Sequence, residues 1–193
     1  MKGGEATIED GVILTNNCTT AVDIGANIAG GKCTMNGGEI VNNVMTAGSN
    51  DTGVAVTVLS DCTFIMNDGR IANNQTTKYG SSGSMVNRGG TAILNGGIIE
   101  NNTTQVMGMA SAVHLKGGYV RLVGTKIRNN VSANGYRAVY VCNHSSFSRM
   151  WDGVFDIDGG EIVGNTNADG TPNAIYLWSK SGIGDTSAYL QLV

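Results

Sequence analysis

Apolar and polar positions alternate along this chain in short runs that Gly or Asn cuts off. One set of runs is Ala21–Ile24, Ala55–Val58, Ala112–Leu115, Ala138–Val141 and Ala174–Leu177. A second is Cys33–Met35, Phe64–Met66, Ala92–Leu94, Val120–Leu122 and Phe155–Ile157, and a third centres on Leu14, Ile40, Ile71, Ile99, Ile127 and Ile162. Period-two alternation bounded by turn residues predicts strand. No window between turn residues carries the i, i+3, i+4, i+7 spacing of a helix face, so the pattern predicts an all-β chain.

The runs recur in a fixed order inside a repeat that is visible by eye. Met35-Asn36-Gly37-Gly38-Glu39-Ile40-Val41-Asn42-Asn43 returns as Met66–Asn74 and as Leu94–Asn102, with looser copies at Ile8–Asn17, Leu122–Asn130 and Ile157–Asn165. The consensus aliphatic residue falls at intervals of 26, 31, 28, 28 and 35 residues. That spread is too wide for helical repeats, whose packed helix pairs fix the period. The pattern instead predicts a single-domain right-handed parallel β-helix over residues 1–193, with about six to seven turns and three short strands per turn. Cys33, Phe64, Ala92, Val120 and Phe155 should then form one inward column, large and small side chains interdigitating.

Two paired residue types mark the bends. Asn42, Asn73, Asn101 and Asn129 occupy one repeat position, Gly164 replacing Asn in the sixth copy, and are expected to stack their amides as a structural ladder. Asn43, Asn74, Asn102, Asn130 and Asn165 form the second row, expected to serve the same bend from its outer side. Gly37, Gly96, Gly124 and Gly159 mark the preceding bend, where a Cβ would obstruct the turn. The Asn-x-Thr sequons at Asn74 and Asn102 follow from an asparagine ladder preceding a polar turn, and do not by themselves argue for glycosylation.

Composition narrows the function classes. The chain has 29 Gly, 1 Pro and 14% charged residues with 41% apolar content, enough for a core and unlike a disordered segment. A net charge of −3 with scattered Lys and Arg gives no basic stripe for nucleic acid. No apolar run is long enough to span a membrane, and Met1–Glu5 lacks the apolar segment of a signal peptide. Cys18, Cys33, Cys62 and Cys142 show no metal-ligand spacing and read as small core or turn residues, so neither a metal nor a cofactor is expected.

The turn pattern with its asparagine ladder resembles the pectate-lyase-like right-handed β-helix superfamily. The Gly-Gly-x-Ile-x-x-Asn run resembles more closely the repeats of adhesin-like bacterial surface proteins, over residues 7 to 193. The resemblance implies a non-catalytic structural or adhesive segment, extracellular or on the cell surface, whose leader and anchor lie outside this chain. The last residues, Tyr189–Val193, match the second run of a further turn with no polar cap after it. An excised piece of a longer protein is the expectation, end-to-end self-association the alternative.

Candidate binding residues gather in the longest insertion, Cys142 to Gly153. Phe147, Arg149 and Trp151 lie there, with Trp178 near the corresponding position one turn later and Tyr140 and Tyr176 in an adjoining outward column. These residues either cover the solenoid wall or form a platform for a glycan or a partner protein such as a host or cell-surface protein. No catalytic set is assigned. The alternative, a polysaccharide lyase or glycoside hydrolase, would draw on His114, Arg121, Lys126, Arg128, Asp156, Asp158 and Glu161. Salt bridges between neighbouring turns explain the same charges, Arg121 lying one turn below Asp156. His114 is expected in a solvent-facing column with Asp23, Thr57, Asn87, Tyr140 and Tyr176. An ice-binding face is disfavoured, no outward column being expected to repeat Thr on successive turns.

Overall fold

A computed structural model describes residues 4–17, 20–24, 30–46, 52–77, 81–105, 110–133, 137–142, 144–146, 149–178 and 188–192 of the 193. Every element among them is a strand, and all but one hairpin stack in parallel as a β-solenoid. The first sheet has seven strands: Glu5–Ile8, Lys32–Met35, Thr63–Met66, Thr91–Leu94, Gly118–Leu122, Gly153–Ile157 and Ala188–Leu192. The second has six: Ile13–Thr15, Glu39–Val41, Arg70–Ala72, Ile98–Glu100, Lys126–Arg128 and Glu161–Val163. A third follows each asparagine pair, with the two-residue strands Val44–Met45, Gln75–Thr76, Thr103–Thr104, Val131–Ser132 and Thr166–Asn167. The fourth holds Val22–Ile24, Val56–Leu59, Met85–Arg88, Ala110–Lys116, Arg137–Cys142 and Ile175–Trp178.

A turn therefore has four strands rather than the expected three. The third sheet escapes the alternation pattern because two residues are too few to alternate, and its inward positions Thr76, Thr104 and Ser132 are polar. Five turns carry all four strands, and the first and last are partial.

The expected core column is present. Cys33, Phe64, Ala92, Val120 and Phe155 pair in register, each at most 1% exposed. Burial raises the Cys33 thiol pKa, as befits a residue that packs as a small hydrophobe. Cys62 and Cys142 are also buried, while Cys18 lies outside the described residues. Ile40, Ile71, Ile99 and Ile127 stack in the second sheet with no exposure. Each such side chain contributes roughly 1.5–3 kcal/mol on burial.

The two asparagine rows have exchanged roles relative to expectation. Asn42, Asn73, Asn101 and Asn129 are exposed and hold φ between 54° and 57°; Gly164 has φ 65° at the same place. They are the left-handed turn residues, a conformation that Asn tolerates and Gly adopts freely. Their side chains face away from the interior, so they do not form the ladder. The buried ladder is the second row. Asn43 Nδ2 donates to Asn74 Oδ1 at 2.8 Å, Asn74 to Asn102 at 3.0 Å, Asn102 to Asn130 at 3.0 Å and Asn130 to Asn165 at 2.9 Å. Each Oδ1 also accepts the backbone N–H of the donating asparagine. Each Nδ2 gives its second proton to the carbonyl of the consensus aliphatic residue one turn back, as Asn102 does to Ile71 at 3.1 Å. Asn74 and Asn102 have no exposed surface, so their sequons are by-products of the ladder.

The glycine bends stand where expected. A Cβ on Gly96, Gly124 or Gly159 would lie 2.2–2.3 Å from a backbone oxygen of the turn below. At the far end the third sheet closes on itself. Pro172 bridges antiparallel to Thr166, Asn167 N–H donates to Thr171 O, and Asn173 N–H donates to Asn165 O. The sole proline thus sits on an edge, where its missing N–H leaves no ladder bond unmade.

Replacing Asn102 by Leu strips partners from Asn74, Ile71 and Asn130 inside a closed corner. We expect it to cost about 3 kcal/mol or more. Asn101→Gly should change stability by less than about 1 kcal/mol, since Gly164 already fills that role. Chemical denaturation of the two variants checks this, and equal midpoints would refute the assignment of the rows.

Candidate functional site

The outward charges fall on separate sheets, so the candidates do not form one cluster. On the first sheet Arg121 pairs in register with Asp156, as expected. Its guanidinium forms an ion pair with Asp158 and approaches Asp156 Oδ2 with Nε at 3.7 Å. The Tyr119 hydroxyl donates to Asp156 Oδ2 at 2.7 Å. Burial, and then the carboxylate, raise the Tyr119 pKa, so the phenol keeps its proton at neutral pH. Asp156 is 7% exposed, and its Oδ1 has no hydrogen-bond partner.

The second sheet carries a different charge ladder. Glu100, 8% exposed, accepts from Arg70 Nε at 2.8 Å on one side and Arg128 Nε at 2.9 Å on the other. The Arg70 hydrogen bond, with help from Arg128, outweighs burial and lowers the Glu100 pKa. Lys126 and Glu161 form an exposed pair at 3.8 Å. Such a pair contributes less than about 1 kcal/mol.

His114 lies on the fourth sheet and is 1% exposed, which corrects its expected solvent-facing place. Its column is Asp23, Thr57, Val86, Tyr140 and Tyr176; Asn87 pairs with Val58 and Leu115 and so stands one position away. Asn87 takes an inward position, its amide bonded to Gly90 N–H, Gly90 O and Tyr119 O. The rings of His114, Tyr140 and Tyr176 form a stair, edge to face at 5.4 Å and then stacked at 5.3 Å. Arg137 lies over Tyr176 at 6.0 Å, and Cys142 Sγ is 3.7 Å from His114 Nε2.

The insertion after Cys142 contains an antiparallel hairpin of His144–Ser146 and Arg149–Trp151, with Trp151 opposite His144. Trp178 pairs instead with Cys142 on the fourth sheet, so the two tryptophans share no register. Phe147, and the side chains of Arg149, Trp151 and Trp178, lie outside the described residues. Among the described residues no group of three His, Cys, Asp or Glu could hold a metal ion.

Two features escaped the sequence reading. One is Glu100 between its arginines. The other is an exposed amide ladder at the corner between the first and second sheets: Asn95 donates to Asn67, Asn67 to Asn36 and Asn36 to Glu9, at 2.8, 2.8 and 3.0 Å. The recurrent Asn after Met or Leu in the repeat was its signal. Threonine also repeats on adjacent turns of the first sheet, Thr7 with Thr34 and Thr63 with Thr91, contrary to expectation. The repeats are short and belong to two different columns.

Comparison of the chain with family models, with curated proteins and with solved structures gives no match in any of the three.

Glu100 makes stability pH-dependent in a defined direction. Its folded pKa lies below the unfolded value of about 4.3. Its contribution is therefore fully present above about pH 4.3 and lost as pH falls through the lower folded value. Glu100→Gln should remove that component. Acid melts of wild type and variant should converge as pH drops, and parallel profiles would count against it.

Proposed function

We propose that this chain is a non-catalytic structural or adhesive segment of a secreted or cell-surface protein, meeting a glycan or a partner protein through its loops. The observation that carries this reading is the pairing of the best catalytic candidates with one another. Arg121 faces Asp158 and Asp156, and Tyr119 bonds to Asp156. A lyase base must be able to lose its proton, and an arginine held by carboxylates keeps it. The repeat's likeness to adhesin-like bacterial surface proteins and to pectate-lyase-like β-helices supports the same reading, including right-handed winding, the usual hand of parallel crossovers. No described helix is long and apolar enough to cross a membrane.

The runner-up, a polysaccharide lyase or hydrolase of the β-helix superfamily, draws support from Asp156 Oδ1, a buried carboxylate oxygen with no hydrogen-bond partner. End-to-end self-association draws support from exposed apolar residues on the end strands of the second and fourth sheets, Ile13 and Leu177 among them.

The purified chain is expected to show no turnover of acidic polysaccharides, with or without Ca²⁺. Unsaturated or reducing-end product that disappears in Asp156→Ala would sink the proposal. A glycan array read with wild type and Trp151→Ala, beside thermal melts of both, tests the display role. Binding lost with an unchanged melt identifies the hairpin as a platform. A lowered melt with no glycan bound by either protein removes the glycan reading and leaves Trp151 as wall.

A further inference from the structure

Two Asn–Gly pairs occupy the same corner of the solenoid, Asn36–Gly37 and Asn95–Gly96, and both asparagines are exposed members of the outer amide ladder. Asparagine is chemically labile. When glycine follows, the backbone nitrogen reaches the side-chain amide carbon with little steric hindrance. What separates the two pairs is the state of that nitrogen. Gly96 N–H donates to Met66 O at 3.2 Å, whereas Gly37 N–H donates to no acceptor among the described residues.

A second difference lies beside the nucleophile. Asp10 packs on Gly37 so closely that a Cβ there would stand 1.9 Å from Asp10 Oδ1. The equivalent neighbour of Gly96 is the backbone oxygen of Asn67, at 2.3 Å from such a Cβ. A carboxylate can take a proton; a peptide oxygen is a far weaker base.

We propose that Asn36 is a site of spontaneous deamidation in the folded protein, favoured over Asn95 by the free Gly37 N–H and by Asp10. The Gly37 nitrogen attacks Asn36 Cγ, and its proton passes to the Asp10 carboxylate. The Cγ–Nδ2 bond breaks, and Nδ2 leaves as ammonia with that proton. Water then opens the succinimide at either carbonyl, leaving aspartate or isoaspartate at position 36. No oxidant or reductant is needed.

The product acts on the ladder. Asn36 Nδ2 is the donor that holds Glu9 at 3.0 Å, and its loss sets two carboxylates face to face. The isoaspartate form also adds a backbone atom at the residue whose N–H bonds to Ile8 O. Either product loosens the first turn from the second.

The test is site-resolved mass spectrometry of the intact folded chain aged at neutral pH, following the mass increase at each Asn–Gly pair. Asn36 should convert about five-fold or more faster than Asn95, the factor that one ordinary hydrogen bond withholds. The two rates should converge in denaturant, where both pairs lose their surroundings. Asp10→Ala, checked for a native circular dichroism spectrum, should slow Asn36 and leave Asn95 unchanged. Equal rates in the folded protein, or Asn95 reacting first, overturn the proposal. An unchanged Asn36 rate in Asp10→Ala overturns the role given to the carboxylate.

Discussion

A primary amide buried in the corner of a solenoid has two protons to give and an oxygen that accepts twice, and nothing but the chain itself can satisfy it. Here Asn43, Asn74, Asn102 and Asn130 each engage the turn before and the turn after. Asn102 bonds to Ile71 O behind and Asn130 Oδ1 ahead, and receives both the N–H and the Nδ2 of Asn74. An unmade bond at any step costs about 1–3 kcal/mol. That constraint locks the second sheet in register with the third at every turn. Variation in repeat length is thereby pushed elsewhere. Successive ladder residues are separated by 31, 28, 28 and 35 positions, and the longest step accommodates the His144–Trp151 hairpin.

Alternation made three of the four sheets legible, because burial on one face of a strand imposes a period of two on residue choice. The column from Cys33 to Phe155 needed nothing more. The two asparagine rows were harder, since adjacent identical residues recur with the same spacing. Yet the sixth copy held the clue: Gly164 can supply a left-handed turn and cannot supply an amide, whereas the second row keeps Asn165. The substitution therefore assigned the first row to the turn. On the fourth sheet the error was one of register. Met85–Arg88 departs from the Ala-Val pattern of its neighbours, and its inward Asn87 looks like a surface residue until its three local bonds are seen.

The candidate site was legible only as a collection of residue types. Placing Arg121 against Asp156 required only the register, which the repeat supplied. Whether the remaining charges converge depends on which sheet each occupies. Arg121 and Asp156 stand on the first, Glu100 and Arg128 on the second and His114 on the fourth. The burial of His114 depends on packing outside its strand, which alternation does not report.

A parallel solenoid brings side chains of successive turns to about 4.8 Å across an entire face. Opposite charges on neighbouring turns then pair with no special arrangement, as Arg70, Glu100 and Arg128 do. A charged patch on such a face is accordingly weak grounds for catalysis, because the lattice produces one wherever a few ionisable residues fall on adjacent turns. The corners differ. A residue inserted into a strand shifts every later side chain to the wrong face, whereas one inserted at a corner beyond the ladder disturbs neither register nor core. Recognition of different partners can therefore be built at corners without disturbing the stacking of the turns. The hairpin between Cys142 and Gly153 is an insertion at such a corner.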